Sequence, residues 1–156
     1  MVDKRPLVPP ALDPATVPSR TGTGYPEPFK APCEKRSKQA LGNELGIQHF
    51  GVNLVRLAPG SWSSQRHWHT AEDEFVFVLE GEITLITDAG EQLLTPGMAA
   101  GFPAGKPDGH HLVNRTDRVA IYLEVGDRAQ PDEVNYPDID LRHSDLAFRH
   151  KDGTPY

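Results

Sequence analysis

Two short stretches of this 156-residue chain hold side chains that could bind a metal ion. In GSWSSQRHWHTAEDEFVFVLEG (residues 60–81), His67 and His69 are one residue apart and Glu74 follows after a short polar turn. Residues i and i+2 of a strand point to the same face, roughly 6.5–7 Å apart, so one strand would present both imidazoles to one side. Glu74 opens the next apolar run, where it can face back across a hairpin at the same level. In GMAAGFPAGKPDGHHLVN (residues 97–114), His110 or His111 would supply a third nitrogen from a later strand. Four of the seven histidines fall in these two segments, each bounded by Gly and Pro turn signals. Three imidazoles and one carboxylate converging in a barrel describe a divalent metal site.

The rest of the chain must position that set. At 156 residues it suits one domain with a proper core. The net charge is −6, and basic residues do not gather into long runs. This argues against nucleic acid or an anionic membrane surface as the main partner. The longest uninterrupted apolar run, Phe75 to Leu79, is far short of a membrane span. The start, MVDKRPLVPP, has no apolar stretch of the secretory kind. A single cysteine, Cys33, excludes an intramolecular disulfide and fits a reducing compartment, so the cytoplasm is expected.

Residues 1–32 carry eight of the fifteen prolines and almost no apolar periodicity, which predicts an extended arm. Tyr25 and Phe29 suggest that its second half docks on a surface. Residues 33–46 read as a short helix or a polar connection, and 1–45 together as arm and connection. From residue 46 to 126 the pattern is all-β. Short β-branched or aromatic runs such as EFVFVLEG, EITLITDAG and VAIYLEVG alternate with turns at roughly 8–12-residue spacing, as in a sandwich or barrel. Residues 127–156 turn polar and read as a loop that touches the barrel, followed by a mobile tail.

Face assignment follows from the candidate ligands. With His67 and His69 inward, Gln65 is inward too and Arg66 and Trp68 point away. With Glu74 inward, Val76 and Val78 line the interior and Phe75, Phe77 and Leu79 lie outside. Three large apolar side chains left in water would cost roughly 1.5–3 kcal/mol each, so a cover is expected. A second subunit or the N-terminal arm could supply it, and a homodimer joined through this face is predicted.

These residues carry a resemblance. The chain resembles a single-domain cupin, a small double-stranded β-helix or jelly-roll barrel with a metal in its mouth. The first cupin motif, G-x5-HxH-x3,4-E-x6-G, matches Gly60, His67, His69, Glu74 and Gly81, with one extra residue before His67. The second, G-x5-PxG-x2-H-x3-N, matches Gly97, Pro103, Gly105, His110 and Asn114, with two extra residues in KPDG. Both insertions fall in turns, where they cost little. The C-terminal YPDIDL stretch is similar to that of one bacterial cupin branch. The resemblance implies that His67, His69, Glu74 and His110 are the metal ligands, with Asp73 as the rival for Glu74 and His111 as the rival for His110.

Such a site leaves one or two coordination positions open and suits Mn, Fe, Co, Ni or Zn. The implied function is a metal-dependent enzyme acting on a small polar molecule: an oxygenase, or a sugar or hydroxyacid isomerase or lyase. The alternative is a non-catalytic module that binds or senses a small ligand.

Overall fold

The computed structural model describes residues 6–156; the charged first five residues of the predicted arm lie outside them. The all-β expectation holds, with one single-turn α-helix, α1 (Leu41–Glu44), and two 3-10 turns (Pro14–Thr16 and Ala31–Cys33) among the described residues. The first strands are β1 (Arg20–Thr21), β2 (Arg36–Gln39), β3 (Phe50–Leu57), β4 (Trp68–His69) and β5 (Glu74–Glu80). Next come β6 (Ile83–Thr87), β7 (Gly90–Leu94), β8 (Ala99–Phe102), β9 (His111–Val113) and β10 (Ala120–Asp127). The chain closes with β11 (Val134–Tyr136), β12 (Leu141–Ser144) and β13 (Ala147–Arg149).

Three antiparallel sheets result: β1-β2-β3-β10-β5-β8, β7-β6-β9 and β13-β12-β11-β4. The first two face each other across the main core. Alternation decides which side chains meet there, since every second residue of a strand points the same way. Val55 and Leu57 of β3, Val76 and Val78 of β5, and Ala120 and Tyr122 of β10 pack on Ile83, Leu85, Leu94 and Leu112 from the smaller sheet. Gly81 makes the tight turn between β5 and β6 with φ +76°, and a β-carbon there would stand 3.0 Å from the Val119 carbonyl oxygen. Only glycine suits both demands.

The segments outside 46–126 do more than the sequence suggested. Residues 33–46 are neither a plain connection nor a continuous helix: β2 pairs with β3 from Arg36↔Leu57 to Gln39↔Leu54, followed by the single turn of α1. Large-sheet pairing thus begins before residue 46. The predicted mobile tail is hydrogen-bonded structure instead, with β13 paired to β12 and the Tyr156 ring stacked on His150 at 3.8 Å. Tyr25 and Cys33 from the proline-rich side join Val134, Tyr136 and Leu141 in a second core. The docking expected of Tyr25 and Phe29 holds, with Phe29 packed against this core, because a handful of aromatic side chains is enough to anchor a short segment.

On the outer face of the large sheet, Leu54, Leu123 and Phe77 lie in one row and Val52, Val125 and Phe75 in the next. Phe75 and Leu79 remain 42% and 43% exposed. No helix among the described residues is long and apolar enough to cross a membrane.

Candidate metal centre

The two histidine segments meet through backbone. His67 N–H donates to the His110 carbonyl (3.1 Å) and His110 N–H to that of His67 (2.8 Å). Trp68 and His69 continue as β4 along β11. Glu74 opens β5, opposite Phe102 of β8 and Gly126 of β10. The Phe102 ring stacks on the His110 imidazole with centroids 3.5 Å apart.

All four side chains converge on one oxygen. Glu74 Oε2 lies 2.9 Å from His110 Nε2 and 3.4 Å from Nε2 of both His67 and His69. The opposite ring nitrogens are held from behind. His67 Nδ1 is 2.9 Å from the Gln65 carbonyl oxygen, and His69 Nδ1 is 2.7 Å from Asp132 Oδ2. Both partners only accept, so both Nδ1 atoms carry the proton and donate it. In the neutral rings, each Nε2 then turns a lone pair towards a carboxylate oxygen. Lone pairs gathered in this way call for a cation among them, and three imidazoles with one carboxylate suit a divalent transition metal.

Electrostatics agree. Protonated imidazoles can take a cation's place here: burial pushes the Glu74 carboxyl upward, but hydrogen bonds from His110 and His67 and the charge of the neighbouring imidazoles outweigh it and hold the group well below the usual range. Burial lowers His110, and its Nδ1 is enclosed with no hydrogen-bond partner. Asp132 is fixed in turn by the Ala71 and Glu72 amides at 2.8 and 3.3 Å, and these contacts with His69 depress its carboxyl despite burial. Asp132 lies far from either motif in sequence, in a polar stretch that gave no signal.

The rivals stand elsewhere. His111 donates Nδ1–H to the Ser64 carbonyl (3.0 Å) and packs edge-on against Trp62, outside the Glu74 cluster. Asp73 accepts from the Ala104 amide at 2.7 Å. Gln65, expected to face inward, instead donates its amide to the Phe29 carbonyl, because the chain bends before β4 begins. Arg66 braces the KPDG insertion, donating to the Gly109 carbonyl and pairing with Asp138 and Asp88.

The cluster forms one wall of a cavity of about 200 Å³. Tyr122 and Glu124 face into it because they alternate in register with Val78 and Val76 on β10 and β5. Arg36 and Lys38 of β2 and Tyr25 and Tyr136 of the second core complete it. Lys38 Nζ lies 2.5 Å from Glu124 Oε1, which also accepts from Asn53 Nδ2 at 3.1 Å. Sequence reasoning missed Arg36 and Lys38, although their i, i+2 spacing is a strand signal.

A small antiparallel barrel with a histidine–carboxylate cluster in its mouth is the architecture of the cupins. The chain matches the cupin-domain family over residues 53–126. It is 45% identical to a sugar phosphate isomerase of the cupin superfamily from Silicibacter pomeroyi, over 94% of this chain and 96% of that one, with a TM-score of 0.89. It is 30% identical to a candidate sugar phosphate isomerase of Acidithiobacillus ferrooxidans over 74% of each chain, with a TM-score of 0.68. A polyketide cyclase of Streptomyces resistomycificus shares the fold at 21% identity and a TM-score of 0.67, over 83% of this chain and 85% of that one. No significant match was found among curated proteins. The chain belongs to the cupin superfamily.

Proposed function

We propose that this protein is a metal-dependent isomerase acting on a small phosphorylated sugar, with the ion held by His67, His69, Glu74 and His110. The observation that carries the reading is the convergence of three Nε2 atoms on Glu74 Oε2, at 2.9–3.4 Å, in the wall of a cavity that Lys38 and Glu124 also line. The sugar phosphate isomerase of Silicibacter pomeroyi, similar over nearly the full chain, supports the reaction class.

When bound, a divalent ion supplies Lewis acidity towards a carbonyl or hydroxyl oxygen. The chain's own residues do the rest. Glu124 lines the same cavity, with Oε1 anchored by Lys38 and Asn53 and no partner for Oε2 among the described residues. That oxygen takes a proton from the hydroxyl-bearing carbon beside the sugar carbonyl and delivers a proton to the former carbonyl carbon. The hydroxyl proton passes to the carbonyl oxygen, so that the two shifts together interconvert aldose and ketose. Lys38 and Asn53 keep the carboxylate from turning away. The buried Tyr122 hydroxyl, which has no partner, is held protonated by burial and can donate to a substrate oxygen. We further propose that two copies associate through the Phe75, Phe77 and Leu79 face.

The test begins with elemental analysis of the purified chain, which should hold close to one transition-metal ion. The His67→Ala, His69→Ala double variant should hold none. Phosphorylated aldoses and ketoses are then incubated with the loaded protein in deuterated water and followed by NMR. Deuterium entering the carbon beside the carbonyl, lost in Glu124→Gln, supports the assignment. A full equivalent of metal in the double variant sinks the metal site. A loaded enzyme that neither interconverts any phosphorylated aldose and ketose nor exchanges a proton of either sinks the isomerase.

A further inference from the structure

We infer that the phosphate of a phosphorylated substrate is bound outside the histidine cluster, in a cationic groove built by the N-terminal segment, with Arg36 as its principal ligand. The substrate class rests on the isomerase reading; the groove itself is argued independently of any metal.

The chain carries a net charge of −6, yet beside the cavity mouth the sign reverses. A groove of about 720 Å³ is lined by Arg20, Lys30, Arg36 and Lys38 against a single carboxylate, Glu34. Two of these cations are already compensated: Lys30 lies 3.5 Å from Glu27, and Lys38 is held by Glu124. Arg20 and Arg36 have no carboxylate partner among the described residues.

Arg36 is the more telling. Its guanidinium is half-buried and donates only to the carbonyls of Ser63 and Gly22, and its enclosed Nε–H has no acceptor. A guanidinium that partly leaves water without an anion pays desolvation with no ionic return. Its planar fork of donors matches phosphate oxygens. Arg36 and Lys38 also line both spaces, so they form the wall shared by the groove and the cavity. A substrate with its reacting carbons at the histidine cluster would extend its phosphate across that wall.

The loop beside Arg36 leaves room for an anion to approach. Residues 21–24, starting from the last residue of β1, read Thr-Gly-Thr-Gly, and Gly22 takes φ +105°. No atom lies within 4 Å of where a β-carbon on Gly22 or Gly24 would stand, so the backbone face is open. Gly22 gives its own amide to the Arg36 carbonyl at 2.9 Å, which leaves the Thr23 and Gly24 amides as the loop's donors beside the fixed cations.

Calorimetry with the full chain tests this, using inorganic phosphate, ribose 5-phosphate and ribose as probes. Both phosphorylated probes should bind saturably, the sugar phosphate more tightly, and ribose alone should bind at least about tenfold more weakly, as loss of a charge-assisted contact implies. Arg36→Gln should weaken both phosphorylated probes by about tenfold or more, and Arg36→Lys by less, because the charge stays while the fork is lost. Arg36 also ties two carbonyls, so Arg20→Gln, which alters an exposed residue, is the second variant and should weaken binding severalfold with an unchanged melting curve. The His67→Ala, His69→Ala variant should bind inorganic phosphate as the parent does, which separates failure of the metal reading from failure of the groove. Absence of saturable binding of either phosphorylated probe overturns the proposal. So does equal binding by the Arg36→Gln and Arg20→Gln variants, or dependence of phosphate binding on His67 and His69.

Discussion

Replacing Asp132 with Asn should weaken metal binding while leaving the fold intact. Asp132 Oδ2 receives the His69 Nδ1 proton at 2.7 Å, and Oδ1 receives the Ala71 and Glu72 amides at 2.8 and 3.3 Å. An asparagine keeps one acceptor and turns the other into a donor. If the amide oxygen keeps the two backbone N–H groups, the new NH2 faces His69 Nδ1. That nitrogen must then give up its proton and accept, which moves the ring proton to Nε2. The Nε2 lone pair directed at Glu74 disappears, or the ring turns to recover it. Outer partners of metal-bound histidines are worth about 10–100-fold in affinity, or about 1.4–2.7 kcal/mol. Competition against a chelating dye gives the affinity, and thermal unfolding of the metal-free protein gives the control. A variant that binds the ion within about twofold of the parent refutes the reasoning. A loss of affinity matched by a collapse of metal-free stability would show that Asp132 only holds the loop at residues 70–72.

Three further outcomes follow from the same geometry. His111→Ala should retain its metal while losing stability by about 1–3 kcal/mol, because the buried ring leaves Trp62 unpacked and the Ser64 carbonyl unpaired; metal analysis beside thermal melting checks this, and metal loss in His111→Ala with retention in His110→Ala reverses the assignment. Phe77→Asp should convert a dimer to monomers or insoluble protein, since Phe77 sits mid-row between Leu123 and Ala99 on the apolar outer face; light scattering that finds the parent chain monomeric at micromolar concentration removes the premise. Deleting residues 1–20 should leave a folded barrel with a melting temperature several degrees lower, because Val17 is buried and the Gln39 amide donates to the Pro14 and Val17 carbonyls at 2.7 Å. An unchanged melting curve would mean that this segment is not docked.

What the sequence alone determined was local and periodic. The alternation of EFVFVLE placed Glu74, Val76 and Val78 on one face and Phe75, Phe77 and Leu79 on the other, because a strand has only two sides. The His-x-His spacing and the Gly and Pro turns were legible for the same reason, and the cupin motifs located the barrel. The KPDG insertion left His110 and His111 open by register. Only tertiary structure places His110 at Glu74 and turns His111 to Ser64, through the paired amides of His67 and His110. Asp132 reaches His69 across 63 residues of chain, and Lys38 reaches Glu124 across 86. Neither pair leaves a trace in local pattern, because a hydrogen bond or ion pair depends on where two strands end in space, not on their neighbours in sequence. The second core shows the same limit. Tyr25, Cys33 and Tyr136 are isolated apolar residues in polar or proline-rich stretches, and their burial exists only once the N-terminal segment and the β11–β13 meander lie against each other.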